Sequence, residues 1–136
     1  MPTDSQRLSR SVARLNRRLR QERHSELTPT QLSVLGTVSL IGPATPSAIA
    51  AREGVRPPSI TRVLNCLTDD GYVVREPHPD DKRQVLVQLS DKGERMLAEE
   101  RSRRDAWLDA RLAALTVDER ATLREASTLL EKLATE

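Results

Sequence analysis

The segment GYVVREPHPDDKRQVLVQLS, residues 71–90, restricts the fold of this 136-residue chain more than any other part. Two short runs of β-type residues, Tyr72 to Arg75 and Gln84 to Leu89, flank a loop with two prolines and a charged tip. Val85, Val87 and Leu89 alternate with Leu86 and Gln88, the period of two that sets one strand face against a core. Every other patterned stretch reads as helix. Two strands alone are marginal in water, so the hairpin needs a helical layer, and the helix expected from about Pro57 to Asp70 supplies one. The expected class is therefore mainly α with a small β-hairpin, laid out as a winged helix-turn-helix.

The helices follow from apolar spacing and from their ends. Leu8, Val12, Leu15 and Leu19 form a narrow stripe on an arginine-rich helix from about Asp4 to Arg23, with Asp4 or Ser5 as N-cap. Thr28 and Pro29 open a second helix whose buried side is expected to carry Leu32, Leu35, Val38 and Leu40, and Gly42–Pro43 closes it. Thr45–Pro46 begins a short helix to about Arg52, with Ile49 and Ala48 or Ala51 facing inward and Gly54 as the stop. A short helix, a glycine turn and the helix at 57–70 make a helix-turn-helix. In that last helix Ile60, Val63, Leu64 and Leu67 share one side, and Gly71 ends it.

Ser90 or Asp91 starts a long helix with Met96, Leu97, Trp107, Leu108, Leu112 and Leu115. Thr116-Val-Asp-Glu119 reads as a capping box, and Leu123, Ala126, Leu130 and Leu133 stripe the final helix. The whole chain, 1–136, is expected to be one protomer, with a winged-helix lobe at 28–90. The stripes at 1–24 and 91–136 lie at opposite ends of the chain and find no partner in that lobe. Packing them together and against a second copy would give a two-fold dimer.

Composition narrows the partners. Residues 1–24 hold seven arginines against Asp4 and Glu22, in a chain whose formal net charge is +2. Clustered positive charge is the electrostatic footprint of a nucleic-acid protein, although it also fits a solvated helix face. Tyr72 and Trp107 are the only aromatics, so single strands, which are held by stacking, are poor partners and duplex DNA is the better one. No apolar run approaches the length of a membrane span, and the N-terminus lacks the apolar core of a secretory signal. One cysteine, Cys66, excludes an internal disulfide framework and suits a reducing cytosol, so the cytoplasm is the expected location. His24 and His78 stand apart and, with one cysteine, give no metal-ligand spacing. The carboxylate pairs Asp69–Asp70 and Glu99–Glu100 read as solvated charge, and no phosphate loop or nucleophile elbow occurs. Neither an enzyme nor a cofactor is expected.

Three stretches, in order and at matching spacing, resemble the MarR family (multiple-antibiotic-resistance regulators). PHPDDKRQVLVQLSDKGERML resembles the family's wing, with an Asp-x-Arg step at Asp81-Lys82-Arg83. PSITRVLNCLTDDGY, residues 58–72, resembles its recognition helix, and LTVDERATLREASTLLEKL its closing helix. The resemblance implies a bacterial dimeric transcription factor, usually a repressor, that binds a palindromic operator. Such a factor is often released by a small phenolic or other lipophilic effector or by cysteine oxidation. The chain departs from the family in two ways: Cys66 stands where the recognition helix often has Arg, and few aromatics are available to line an effector pocket.

Base-reading chemistry is expected from Ser59, Thr61, Arg62 and Asn65 in the major groove, with Pro57 and Pro58 keeping the helix start narrow. Arg62 is the candidate for a bidentate guanine contact; a salt bridge to Asp80 or Asp81 is its structural alternative. Arg83 is expected in the minor groove and Lys82 at phosphate, unless the tip is only a solvated turn. Thr45, Ser47, Arg56 and Arg75 are candidate phosphate contacts. Cys66 reads either as a half-buried filler or as a redox-sensitive thiol beside Arg62. The rival from another class is a winged helix that binds a protein, which would more often expose Leu, Met or aromatic anchors.

Overall fold

The computed structural model describes residues 1–23 and 25–135. Six helices and one hairpin follow in the order α1 Asp4–Gln21, α2 Pro29–Ile41, α3 Pro46–Glu53, α4 Pro57–Asp69, β1 Val73–Pro77, β2 Val85–Leu89, α5 Asp91–Ala113 and α6 Val117–Thr135. His24 lies outside the described residues.

Most helix starts are fixed by local chemistry. Thr28 and Gln31 exchange side-chain and backbone hydrogen bonds in a capping box, with Pro29 at the first helical position. Thr45 caps α3, Ser90 caps α5, and Thr116 pairs reciprocally with Glu119 ahead of α6. The cap of α1 is Thr3 rather than Asp4 or Ser5, because Gln6 is placed to complete the box with it. Gly54 adopts φ +69° after α3, the left-handed step that ends one helix and re-aims the chain into the next.

The core lies within the lobe. Val34, Leu35 and Val38 of α2, Ile49 and Ala50 of α3, and Ile60, Leu64 and Leu67 of α4 enclose Val73 and Val87 of the hairpin. Three expectations are corrected. Leu40 is 64% exposed, since five positions beyond Leu35 is about 140° around the helix; Val34 takes the inward place. In α3 the inward alanine is Ala50, next to Ile49, whereas Ala48 and Ala51 are exposed. Val85 is exposed where β2 runs out past the core, so the alternation buries Val87 fully and Leu89 in part.

The strands are antiparallel, with Val73 opposite Leu89 and Arg75 opposite Val87. A further bridge joins Ala44 to Val87 through two backbone hydrogen bonds of 3.0 and 2.8 Å, tying the α2–α3 junction to the wing. Ser33 and Thr37 of α2 both donate hydroxyl hydrogens to the Glu53 carboxylate, at 3.0 and 2.8 Å, and so clamp the end of α3. Gly93 sits where a Cβ would come within 2.1 Å of the Tyr72 carbonyl oxygen, so α5 can leave the hairpin this closely only with glycine there.

Outside the lobe, α1 and α6 bury no residue. Leu8, Val12 and Leu15 of α1 and Leu123, Leu130 and Leu133 of α6 line one open apolar groove of about 420 Å³. Trp107 of α5 has the Arg18 guanidinium of α1 at 4.7 Å and that of Arg111 at 5.2 Å from its ring centre. No described helix is long and apolar enough to cross a membrane.

Candidate nucleic-acid interface

Helix α4 divides sharply by side. Ile60, Leu64 and Leu67 are at most 2% exposed, and this burial fixes the rotation of the helix. It leaves Ser59, Thr61, Arg62, Asn65 and Cys66 exposed. Thr61 donates its hydroxyl hydrogen to the Pro57 carbonyl at 3.1 Å, so its oxygen faces out only as an acceptor. The alternative ion pair for Arg62 does not form: Asp81 is engaged by Arg83, and Asp80 and Arg62 join no salt bridge among the described residues. Cys66 is exposed, which corrects its reading as a half-buried filler: two positions beyond the buried Leu64 is about 200° around the helix, so its side turns away from the core.

The wing tip is held by side chains within the loop. His78 accepts the backbone N–H groups of Asp80 and Asp81 at its Nδ1, both at 3.1 Å, which requires that nitrogen to be unprotonated. Asp81 accepts from the Arg83 backbone at 3.0 Å and from its Nε at 3.2 Å. These hydrogen bonds from the backbone and side chain of Arg83 hold the Asp81 carboxyl below its ordinary value. A carboxyl lowered in this way keeps its hold at neutral pH and releases it only as pH falls through the lowered value. The Arg83 side chain remains 91% exposed, and Lys82 beside it is exposed as well. Asp81→Ala should therefore leave the lobe folded but speed amide exchange at Arg83 at neutral pH. Unchanged exchange there would show that the turn does not depend on this carboxylate.

The candidate phosphate residues stand in different settings. Ser47 and Arg56 are exposed near the starts of α3 and α4. Thr45 accepts from the Ala48 N–H as a helix cap, which leaves its O–H as a free donor. Arg75 is not free: its Nη2 donates to Asn65 Oδ1 at 2.7 Å, which joins a candidate phosphate residue to a candidate base-reading one. Sequence reasoning missed this bond and the role of His78, whose only local signal is its place between Pro77 and Pro79 ahead of two aspartates. Among the described residues, no three His, Cys, Asp or Glu side chains converge as metal ligands would.

A second feature lies where α2 and α5 meet the end of α1. Glu100, expected to be solvated, is only 6% exposed, because it follows Gly93 and Leu97 on the inward side of α5. Its oxygens lack a hydrogen-bond partner, as does Arg23 Nη1; the nearest recorded cation is Arg103 Nη1, 3.6 Å from Oε1. Burial, with Arg20 adding to it, lowers the pKa of Arg23, and Glu100 opposes that shift. Arg23 and Glu100 line a cleft of about 230 Å³ together with Leu32, Ser33, Leu97, Arg101 and Arg104.

The MarR family model matches residues 27–85, from the start of α2 into the wing. An HTH-type transcriptional regulator of Mycobacterium tuberculosis is 47% identical over 130 residues, spanning 95% of this chain and 91% of the relative. The crystal structure of a putative transcriptional regulator from Pseudomonas aeruginosa superposes with a TM-score of 0.83 at 35% identity, covering 99% of both chains. A mutant MarR of E. coli complexed with operator DNA gives a TM-score of 0.69 at 29% identity, covering 93% of this chain and 92% of the other. With the family model on its winged-helix lobe and relatives alike almost end to end, this chain belongs to the MarR family.

Proposed function

We propose that this protein is a cytoplasmic, dimeric transcriptional repressor that binds a palindromic operator. It would lay α4 in the major groove and the hairpin tip in the minor groove. The observation that carries the reading is the outer side of α4: Arg62 without an ion pair among the described residues, next to hydroxyl and amide side chains, on a helix rotated by its buried face. Major-groove edges present acceptors and donors that such side chains match. The E. coli MarR structure with operator DNA supports the same placement by likeness of fold.

Within this reading Pro57, Ser59, Thr61, Arg62 and Asn65 face base edges, Lys82 and Arg83 enter or flank the minor groove, and Thr45, Ser47 and Arg56 meet phosphates. The groove between α1 and α6 would be covered by a second copy, which makes 1–24 and 91–136 the dimerisation helices and 28–90 the DNA-binding lobe. Two recognition helices would then meet half-sites about 34–36 Å apart. A small effector would enter the cleft at Glu100 and Arg23. Its charged lining calls for a ligand with hydrogen-bonding groups, which among the effectors the resemblance implies favours a phenolic one over other lipophilic ones.

Titrating random duplex DNA at increasing salt tests the reading. A steep negative slope of affinity against salt is expected from counterion release. Absence of binding at low salt would overturn the reading in favour of a protein partner. Arg62→Ala should cost about 1–3 kcal/mol of operator affinity and relax the preference at one base pair per half-site. A gel-shift titration with unchanged affinity would remove Arg62 from the reading head.

A further inference from the structure

Arginine has no acceptor, so the amide of Asn65 must turn its oxygen toward Arg75, as the 2.7 Å contact from Nη2 to Oδ1 shows. Strand parity explains how the arginine reaches that amide. Arg75 lies opposite the buried Val87 and two residues after the buried Val73, so it shares their side of the sheet, the side that packs on α4. The hairpin has run past the core at this point, and the arginine stem extends along the exposed flank of the recognition helix. Because the guanidinium is charged, this hydrogen bond is stronger than a neutral one. Asn65 is exposed, and its Nδ2 hydrogens remain available as donors.

We infer that Asn65 and Arg75 act as one donor-only reading unit, in which Arg75 is a positioning residue that makes Asn65 select guanine over adenine. The inference rests on the DNA-binding reading above. A free asparagine reads adenine with both amide atoms, the oxygen accepting from N6 and the nitrogen donating to N7. In this protein one lone pair of that oxygen is held by Arg75, and the guanidinium beside it meets an approaching adenine N6–H₂ with further donors, which shuts off the second. Guanine instead offers two adjacent acceptors, O6 and N7, to a group that only donates. Cytosine presents its N4 donor and is rejected for the same reason.

The test is selection of bound sequences from random duplex by the full-length protein and by Asn65→Ala, Arg75→Met and Arg75→Lys, with low-salt binding to random duplex measured in parallel. Wild type should favour guanine over adenine by roughly tenfold at one base pair per half-site, the scale of a good bidentate contact. Asn65→Ala should flatten that position alone. Arg75→Met, which keeps the apolar stem and frees the amide oxygen, should move the preference to adenine. Arg75→Lys, which still donates to the oxygen, should keep guanine. A merely structural role for Arg75 would lower affinity without changing the base chosen. The inference is overturned if Arg75→Met retains guanine, if wild type selects adenine at the position that Asn65→Ala flattens, or if Asn65→Ala selects as wild type does. Loss of low-salt binding by wild type itself would overturn the DNA reading, and with it the inference, by a separate measurement.

Discussion

Leu130→Glu should convert the protein to a monomer in sedimentation and lower its affinity for a two-half-site operator by roughly 10²–10⁴-fold, the range that linked binding events supply. Leu130 is 40% exposed in the single chain and faces Leu8, Val12 and Leu15 of α1 across the apolar groove. A glutamate there costs little while the groove is open to water. Once a second copy covers it, the carboxylate loses its hydration without a partner. None of these residues belongs to the core of the lobe, so the helical signal and the residual affinity for single half-sites should persist. Leu15→Glu should act alike from the opposite wall. A variant that sediments as the wild type would show that this groove is not the dimer contact.

Leu64→Ala should destabilise the fold by about 2–5 kcal/mol, the usual cost of truncating a fully buried leucine. Leu64 is 0% exposed in the middle of α4, between the short helix α3 and the hairpin. The cavity it would leave opens within the cluster that also holds Leu35, Ile49 and Ile60, which are almost fully buried and have little freedom to collapse into it. Urea unfolding at one fixed protomer concentration measures the effect, because the stability of a dimer depends on concentration. A loss below about 1 kcal/mol would mean that the core closes around the smaller side chain. The same helix carries the proposed reading face, so a loosened Leu64 should also blur operator preference before the protein unfolds.

Features settled within four residues were legible in the sequence. The Thr28 cap ahead of Pro29, the Thr116–Glu119 box, the proline that opens α3 and the glycine that ends it need only their neighbours to act. The polar side of α4 was legible too, since the buried Ile60, Leu64 and Leu67 leave only one rotation of the helix. Contacts through space were not. The Ala44 bridge involves one residue of its segment and leaves no periodic trace. Asn65 and Arg75 lie ten positions apart on different elements, and only the parity of β1 brings them together. Glu100 was misread because composition cannot tell it from Glu99. The spacing could have done so: Gly93, Leu97 and Glu100 follow at four and three, the rhythm of a buried helix side.

The lone indole at Trp107 has an optical consequence. Its ring lies within about 5 Å of two guanidinium groups, one contributed by the first helix and one by its own, so all tryptophan emission from this chain originates at the crossing of two long arms. Any tilt of those arms alters the electric field across the fluorophore, while the proposed base-reading head, which holds no tryptophan, contributes no signal of that kind. The molecule thus carries an intrinsic, label-free gauge of its scaffold that is blind to the groove-facing surface.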